Sequence, residues 1–379
     1  MYEAEKLIKL AKRDNNPNRD YLLINVFQAK HYPADPKDTF KMCETLAEKI
    51  QTKYPGESFL VIGFAEAATA IAAMVANFLG CHYIQTTREV IDGVPSLNFS
   101  EEHSHAKNQF LYIRDFEKLA QNIDRIVFVE DEITTGKTLQ NASNVLRQIC
   151  KSHLNFSIAT LLDCTHDFQK DELSALNIDI LSLMELDKDE FGERLKDFRA
   201  DGKFYDFPIC EISEITDDEK KMLLSNVNQL DFRSTHDPKM GADIMEINDD
   251  LELLWEALNL CESNLCDKKI RVLGTEEFVY PSLFIGAKLS EYTNEVRCHS
   301  TTRSPMLPGA ANHYPLKSRA LLPSLYEDER ITFLYNLEKA DYTIVLTDSH
   351  YKNSSGMFAL LKALKNCKNE NIYWIWWKR

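Results

Sequence analysis

Apolar residues fall along this chain in two alternating rhythms. The run SFLVIGF (Ser58 to Phe64) is continuous, as a strand buried on both faces requires, and EAATAIAAMVANFLG behind it reads as a helix closed by Gly80. HYIQTT (His82 to Thr87) is the next strand, which makes a βαβ unit. A polar segment from Arg88 to about Gln109 is too long for an ordinary connection and is expected to be a functional loop. FLYI, a strand from Arg125 to Val129, a helix from about Thr138 to Cys150 and the strand FSIATLLD (Phe156 to Asp163) complete the block. Strands and helices alternating at these lengths predict an α/β fold, a mainly parallel sheet with helices on both faces. From about Ile212 to Asp267 the pattern turns charged and helical and reads as a connector. A second αβ block begins at Ile270.

The stretch RIVFVEDEITTGKT, Arg125 to Thr138, is where chemistry concentrates. Open α/β folds bind ligands at the carboxyl ends of their strands, and Glu130 and Asp131 stand where this strand emerges. The turn after them feeds a helix, whose free amide groups and dipole favour an anion. Gly136 lets the backbone approach, and Thr134, Thr135 and Thr138 add hydroxyls. The ending GKT suggests a Walker A loop, but that motif needs glycine five positions before Gly136, and Asp131 stands there. Acids ahead of an anion cup suit a sugar phosphate, the carboxylates accepting from vicinal hydroxyls.

The second block repeats the first. IRVLGTEEFVYPSLFIGAKLS aligns with FLVIGFAEAATAIAAMVANFL, setting Gly274 on Gly63 and Glu277 on Glu66, and TTRSP answers TTREV. Thr301 lies 27 positions after Gly274, and Thr86 lies 23 after Gly63; Asp348 lies 47 beyond Thr301, and Asp131 lies 45 beyond Thr86. Three landmarks in order at similar spacing point to duplication. The copy is altered where the acids sit, Thr347 replacing the first of them.

Composition narrows the partners. A chain of 379 residues with 44% hydrophobic content is enough for two or three packed domains. A net charge of −15 argues against nucleic-acid binding through the phosphate backbone. No apolar run reaches the roughly 18 residues of a membrane span, and the charged N-terminus lacks a signal-peptide core, so a cytoplasmic location without membrane contact is expected. The nine cysteines form no CxxC pair, which leaves buried reduced thiols as the expected state.

The stretch from Arg125 to Thr138 closely resembles the phosphoribosyl pyrophosphate (PRPP) signature of type I phosphoribosyltransferases: a hydrophobic strand, two acids, then Thr-Thr-Gly-x-Thr. The resemblance implies that Glu130 and Asp131 contact the ribose 2′ and 3′ hydroxyls, and that Thr134, Thr135, Gly136, Lys137 and Thr138 form the 5′-phosphate loop. It also implies a pyrophosphate turn, matched by GFAEAAT with Phe64, Ala65 and Glu66. A mobile basic loop would carry Arg88, His103, His105 and Lys107. HSH is alternatively half of a metal site, with no third ligand at helical spacing. Lys30 and His31, in QAKHYPADP, are candidates for an acceptor site in an orotate-type N-terminal hood. Over nearly its whole length the chain is similar to two-part proteins found with bacterial tellurite-resistance and stress gene clusters, whose C-terminal part is named for a Thr-Arg-Ser-Pro motif. Here that motif is Thr302, Arg303, Ser304 and Pro305, with Glu277 in the companion GTEEF.

The expectation is an orotate-phosphoribosyltransferase-like domain over 1–211, a charged helical connector over 212–267 and a degenerate copy, the TRSP domain, over 268–379. The implied function is Mg2+-dependent transfer of ribose 5-phosphate between PRPP and a nitrogenous base or heterocycle, with the metal held through PRPP and by Glu130 and Asp131. The alternative is a sensor that binds PRPP or a nucleotide without turnover. Arg303 is expected to reach a cleft shared by the two domains as a pseudo-dimer, or else to pair with a carboxylate and tie down its loop; a homodimer is the further expectation.

Overall fold

The computed structural model describes residues 3–16, 19–100, 108–112, 116–150, 154–187, 191–207, 214–260, 265–327 and 329–378. The chain divides into two compact units. The first holds Phe40–Asp189 and Thr235–Glu252, and the second holds Glu3–Thr39, Glu190–Ser234 and Leu253–Arg379. These units cross the sequence-based boundaries. The N-terminal segment groups with the second unit, and the expected connector contributes strands to both.

In chain order, a turn of helix α1 (Ala4–Leu7) precedes the antiparallel hairpin β1 (Ile8–Lys12) and β2 (Tyr21–Asn25), and α2 (Pro36–Lys53) follows. The first unit then runs β3 (Phe59–Gly63), α3 (Thr69–Leu79), β4 (His82–Gln85), β5 (Ser96–Ser100), β6 (Asn108–Tyr112), α4 (Phe116–Ala120), β7 (Arg125–Ile133), α5 (Lys137–Cys150), β8 (Asn155–Asp163), α6 (Asp167–Ala175) and β9 (Ile178–Glu185). Its sheet has the order β4-β3-β7-β8-β9, all parallel. β12 (Ala242–Asp243) adds an antiparallel edge beside β4 and leads into α8 (Ile244–Leu258).

Every residue of β3 is buried, which is why its sequence is unbroken by polar positions. Leu60 and Ile62 join Leu139 and Leu146 of α5 in one core. On the opposite face Gly63 abuts α3 so closely that a Cβ there would lie 2.5 Å from the Cβ of Ala72. Helices therefore cover both faces, as the pattern implied. Phe128 links this core by ring contacts to Phe64 and Phe156, with centroids 5.7 and 5.6 Å away. Gly80 ends α3 in the left-handed conformation at φ 60°, the usual helix stop.

The second unit carries β10 (Lys203–Asp206), α7 (Asp217–Leu224), β11 (Val227–Arg233), β13 (Ile270–Gly274), α9 (Tyr280–Leu289), β14 (Val296–Ser300), β15 (Ser318–Pro323), β16 (Ile331–Tyr335), β17 (Tyr342–Thr347), α10 (Ser355–Asn366) and β18 (Ile372–Lys378). Its main sheet is parallel in the order β14-β13-β17-β18-β11, strand for strand the layout of the first; β10, β15 and β16 form a smaller sheet. One difference is permutation: β11 precedes the other strands in the chain, whereas β9 follows its neighbours. Trp374 and Trp376 of β18 fill the core against Phe358 and Leu361 of α10.

Candidate functional site

The site of the first unit is built at the carboxyl ends of β3 and β7. The two strands are adjacent and parallel, with Gly63 paired to Val129 and the Phe64 amide donating to the Val129 carbonyl at 3.2 Å. Glu130 and Asp131 therefore lie just past the end of β3, beside the turn that follows it, while β7 remains paired with β8. Both carboxylates are half-buried. β7 runs on to Ile133, four residues past the sequence expectation, because β8 is equally long and pairs with it as far as Asp163.

Gly136 then reverses the chain. Its φ of 70° lies in the left-handed region, and a Cβ would sit 3.0 Å from Leu173, so glycine is required twice over. Helix α5 starts immediately after it at Lys137, with Thr134, Thr135 and Thr138 half-buried around the turn and Lys137 exposed. The expected loop is thus a glycine turn into a helix start with hydroxyls beside it, next to two carboxylates. That arrangement can receive a phosphate at the amides and accept hydroxyl protons at the acids.

The turn after β3 is held from outside. The Ala65 amide donates to the Thr86 hydroxyl at 2.8 Å, and that hydroxyl donates to Gln109 Oε1 at 2.6 Å. Tyr83 closes the same corner through its hydroxyl to the Thr69 carbonyl at 2.7 Å. Glu66 is half-buried on the turn, and the Ala65–Glu66 peptide is cis. Phe64 is only 1% exposed and packs in the core, so it serves this turn through its backbone alone.

The long polar segment differs from the expected loop. β5 and β6 pair as an antiparallel hairpin from Ser96 opposite Tyr112 to Ser100 opposite Asn108, and Thr87 bridges to Phe110. Arg88 sits half-buried just after that bridge. Beside it, Glu89 takes a 2.8 Å ion pair from the buried Lys239. His103, His105 and Lys107 lie outside the described residues. A further acid was not foreseen: Asp163, 3% exposed at the end of β8, accepts from the Thr165 amide and hydroxyl at 2.9 and 2.6 Å. Its signal was an acid closing an apolar strand.

Lys30 and His31, expected at an acceptor site, belong to the second unit and are buried there. Lys30 Nζ donates to the carbonyls of Glu276 and Thr301, the latter at 3.2 Å. The Lys30 ammonium thus fastens two turns of the copy.

Two hydrogen bonds of the turn recur in the copy. As the Thr86 amide donates to Gly63 O (2.8 Å) and the Ala65 amide to the Thr86 hydroxyl, so the Thr301 amide donates to Gly274 O (3.2 Å) and the Glu276 amide to the Thr301 hydroxyl (3.0 Å). Glu276 thus stands at the place of Ala65. Its carboxylate, 3% exposed, takes Arg303 Nε at 2.9 Å and Arg330 Nη2 at 3.2 Å on Oε2, and the Ser324 hydroxyl on Oε1. Arg303 accordingly ties its loop to a carboxylate. Thr302 is buried and bridges Phe333, and the Ser304 carbonyl accepts from Tyr335 at 2.8 Å, while Glu277 is also buried.

At the acid positions the copy has closed on itself. Thr347 accepts from the Thr275 hydroxyl at 3.0 Å, and Asp348 Oδ1 accepts from the Tyr326 hydroxyl at 2.7 Å. The Ser324 carbonyl packs against Gly356 in the first turn of α10, where a Cβ has no room.

Fold and site together define an α/β domain with an acid pair and a glycine turn into a helix at the carboxyl end of one parallel sheet. A family model described as phosphoribosyl transferase matches residues 7–185, and a second, described as the TRSP domain C-terminal to that transferase family, matches residues 240–364. The chain pairs a phosphoribosyltransferase-family domain with a TRSP domain. Similar solved structures include adenine phosphoribosyltransferase from Rhodothermus marinus, at 16% identity and TM-score 0.36, covering 48% of this chain and 96% of that one. Another is adenine phosphoribosyl transferase from Trypanosoma brucei in complex with AMP, pyrophosphate and ribose-5-phosphate, at 16% identity and TM-score 0.36, covering 50% and 81%. Orotate phosphoribosyltransferase from Aeropyrum pernix has 18% identity and TM-score 0.32, covering 50% and 93%. No curated protein matches the chain. No described helix is long and apolar enough to cross a membrane.

Proposed function

We propose that the first unit transfers a 5-phosphoribosyl group from PRPP to a nitrogen of a base or heterocycle. The observation that carries this reading is the continuity of Glu130, Asp131, the Gly136 turn and the start of α5, set beside the Gly63–Thr69 turn by the β3–β7 pairing. In this reading Glu130 and Asp131 accept from the ribose hydroxyls. The amides and hydroxyls of residues 134–138 hold the 5′-phosphate, and the turn at Ala65 and Glu66 faces the pyrophosphate. The C1–oxygen bond to pyrophosphate breaks while a bond from the acceptor nitrogen to C1 forms, through an oxocarbenium-like state. The fixed carboxylates favour that state electrostatically, without covalent catalysis.

The donor set fits Mg2+. Two half-buried carboxylates are hard oxygen donors, and among the described residues there is no cluster of three His, Cys, Asp or Glu side chains to hold an ion alone. Such an ion is usually held through one or two carboxylates together with substrate phosphates. Bound with PRPP, it would offset charge on the departing pyrophosphate. The reading is tested by following pyrophosphate release from PRPP, with Mg2+ and a pool of nucleobases, in the intact chain and in Asp131→Ala. Release that the substitution abolishes supports transfer; release unchanged by it removes the acid pair from the reaction.

A further inference from the structure

A cavity of about 410 Å³ opens in the second unit at the amino end of its main sheet, lined by Arg271, Arg297, Lys9, Lys317, Tyr32 and His313 among others. Arg271 is its unusual member. The residue is 6% exposed, and its Nε and Nη1 have no hydrogen-bond partner among the described residues. Its one ion pair is long, 3.8 Å from Nη2 to Glu338, whose side chain is 77% exposed. On the next strand the residue in register with it is Arg297, so two guanidinium groups leave neighbouring strands on the same face. Arg297 has its own partners in the Val296 carbonyl at 2.7 Å and Asp35 at 3.5 Å. Arg271 has no comparable support.

A buried charge left in that state is costly, and like charges side by side add to the cost. Burial also lowers the Arg271 pKa from its ordinary value, and the exposed Glu338 carboxylate only partly opposes it. A buried polar group left without partners calls for a physical account, and a bound anion is one that also offsets the charge. Four cations line this cavity against the single carboxylate of Glu338, in a chain whose net charge is −15. The volume exceeds what one phosphate fills, and Tyr32, Pro33 and Pro315 supply apolar walls.

We infer that this cavity is a second ligand site, for a phosphorylated small molecule whose anionic group pairs with Arg271 and whose organic part lies against the tyrosine and proline walls. It is independent of the transferase reading, since all its residues belong to the second unit and none is in the acid pair or the Gly136 turn.

Binding is read by calorimetry with inorganic phosphate and with ribose 5-phosphate, on the full chain carrying Thr135→Val and Thr138→Val so that the first unit's loop does not contribute. Saturable binding is expected, with ribose 5-phosphate tighter. Arg271→Met should weaken it by about tenfold or more, the scale of one lost charge-assisted contact, and the exposed Lys317→Ala by about threefold. Without ligand, Arg271→Met should raise the melting temperature, because an uncompensated buried charge is gone. Absence of binding in the loop variant, or binding indifferent to both Arg271→Met and Lys317→Ala, overturns the inference. The Lys317 variant alone decides the matter should Arg271→Met not fold.

Discussion

At the scale of single residues, two positions carry distinct physical demands. Gly136 combines a φ of 70° with a 3.0 Å approach to Leu173. Gly136→Ala is expected to cost about 1–2 kcal/mol in chemical denaturation and to abolish PRPP binding in calorimetry, since the strained turn also aims the start of α5. Glu276 is the second position, holding two arginines and a serine on one buried carboxylate. Arg303→Ala leaves Arg330 in place and should cost about 2–3 kcal/mol; Glu276→Gln strands both guanidinium groups and should cost more, about 3–5 kcal/mol. Urea denaturation of the two variants checks the order, and a larger loss from Arg303→Ala would contradict it. The acid pair and the glycine turn were legible in sequence because their chemistry lies in one contiguous stretch. The ties of Lys30 were not, since its partner carbonyl on Glu276 is 246 positions away.

Elements were legible where burial is two-sided. β3, β7 and β8 read as strands because almost every position faces the core. β11 did not, because it is an edge strand whose exposed positions carry polar residues, and it passed for a charged connector. The β5 half of the β5–β6 pair was hidden for a related reason: Ser96 and Asn98 are exposed, so no apolar run marks it, whereas the FLYI stretch carries the buried Leu111 and Tyr112. The strand-to-helix approach shared by the two units yields a comparison. A Cβ on Gly63 would meet the Ala72 side chain at 2.5 Å, whereas a Cβ on Gly274 would meet the Phe278 carbonyl at 2.5 Å. A helix can shift away from an alanine methyl more easily than a tight turn can yield backbone. Gly63→Ala is expected to cost about 1–3 kcal/mol and Gly274→Ala more than that, as overpacking against rigid atoms does. Equal costs by denaturant titration would contradict the packing argument.

The whole molecule is a duplicated α/β arrangement in which the copies have diverged at the same sheet edge. The sequence repeat identified Gly63 with Gly274, Thr86 with Thr301 and Asp131 with Asp348, and the hydrogen bonds and registers agree with it. What the repeat did not disclose is how the N-terminal segment groups, since contacts between distant parts of a chain leave no local pattern. The first unit keeps two adjacent half-buried acids ahead of a helix start, whereas the second has Thr347 and Asp348 there, bonded to Thr275 and Tyr326, and the proposed ligand chemistry is placed on the first. The most direct test is phosphorus NMR of PRPP with Mg2+ and a nucleobase pool, comparing the intact chain with Asp131→Ala and with Asp348→Ala. Pyrophosphate release lost in Asp131→Ala and kept in Asp348→Ala is the expected result. Release that survives Asp131→Ala, or a chain that leaves PRPP untouched and unbound, would contradict the assignment.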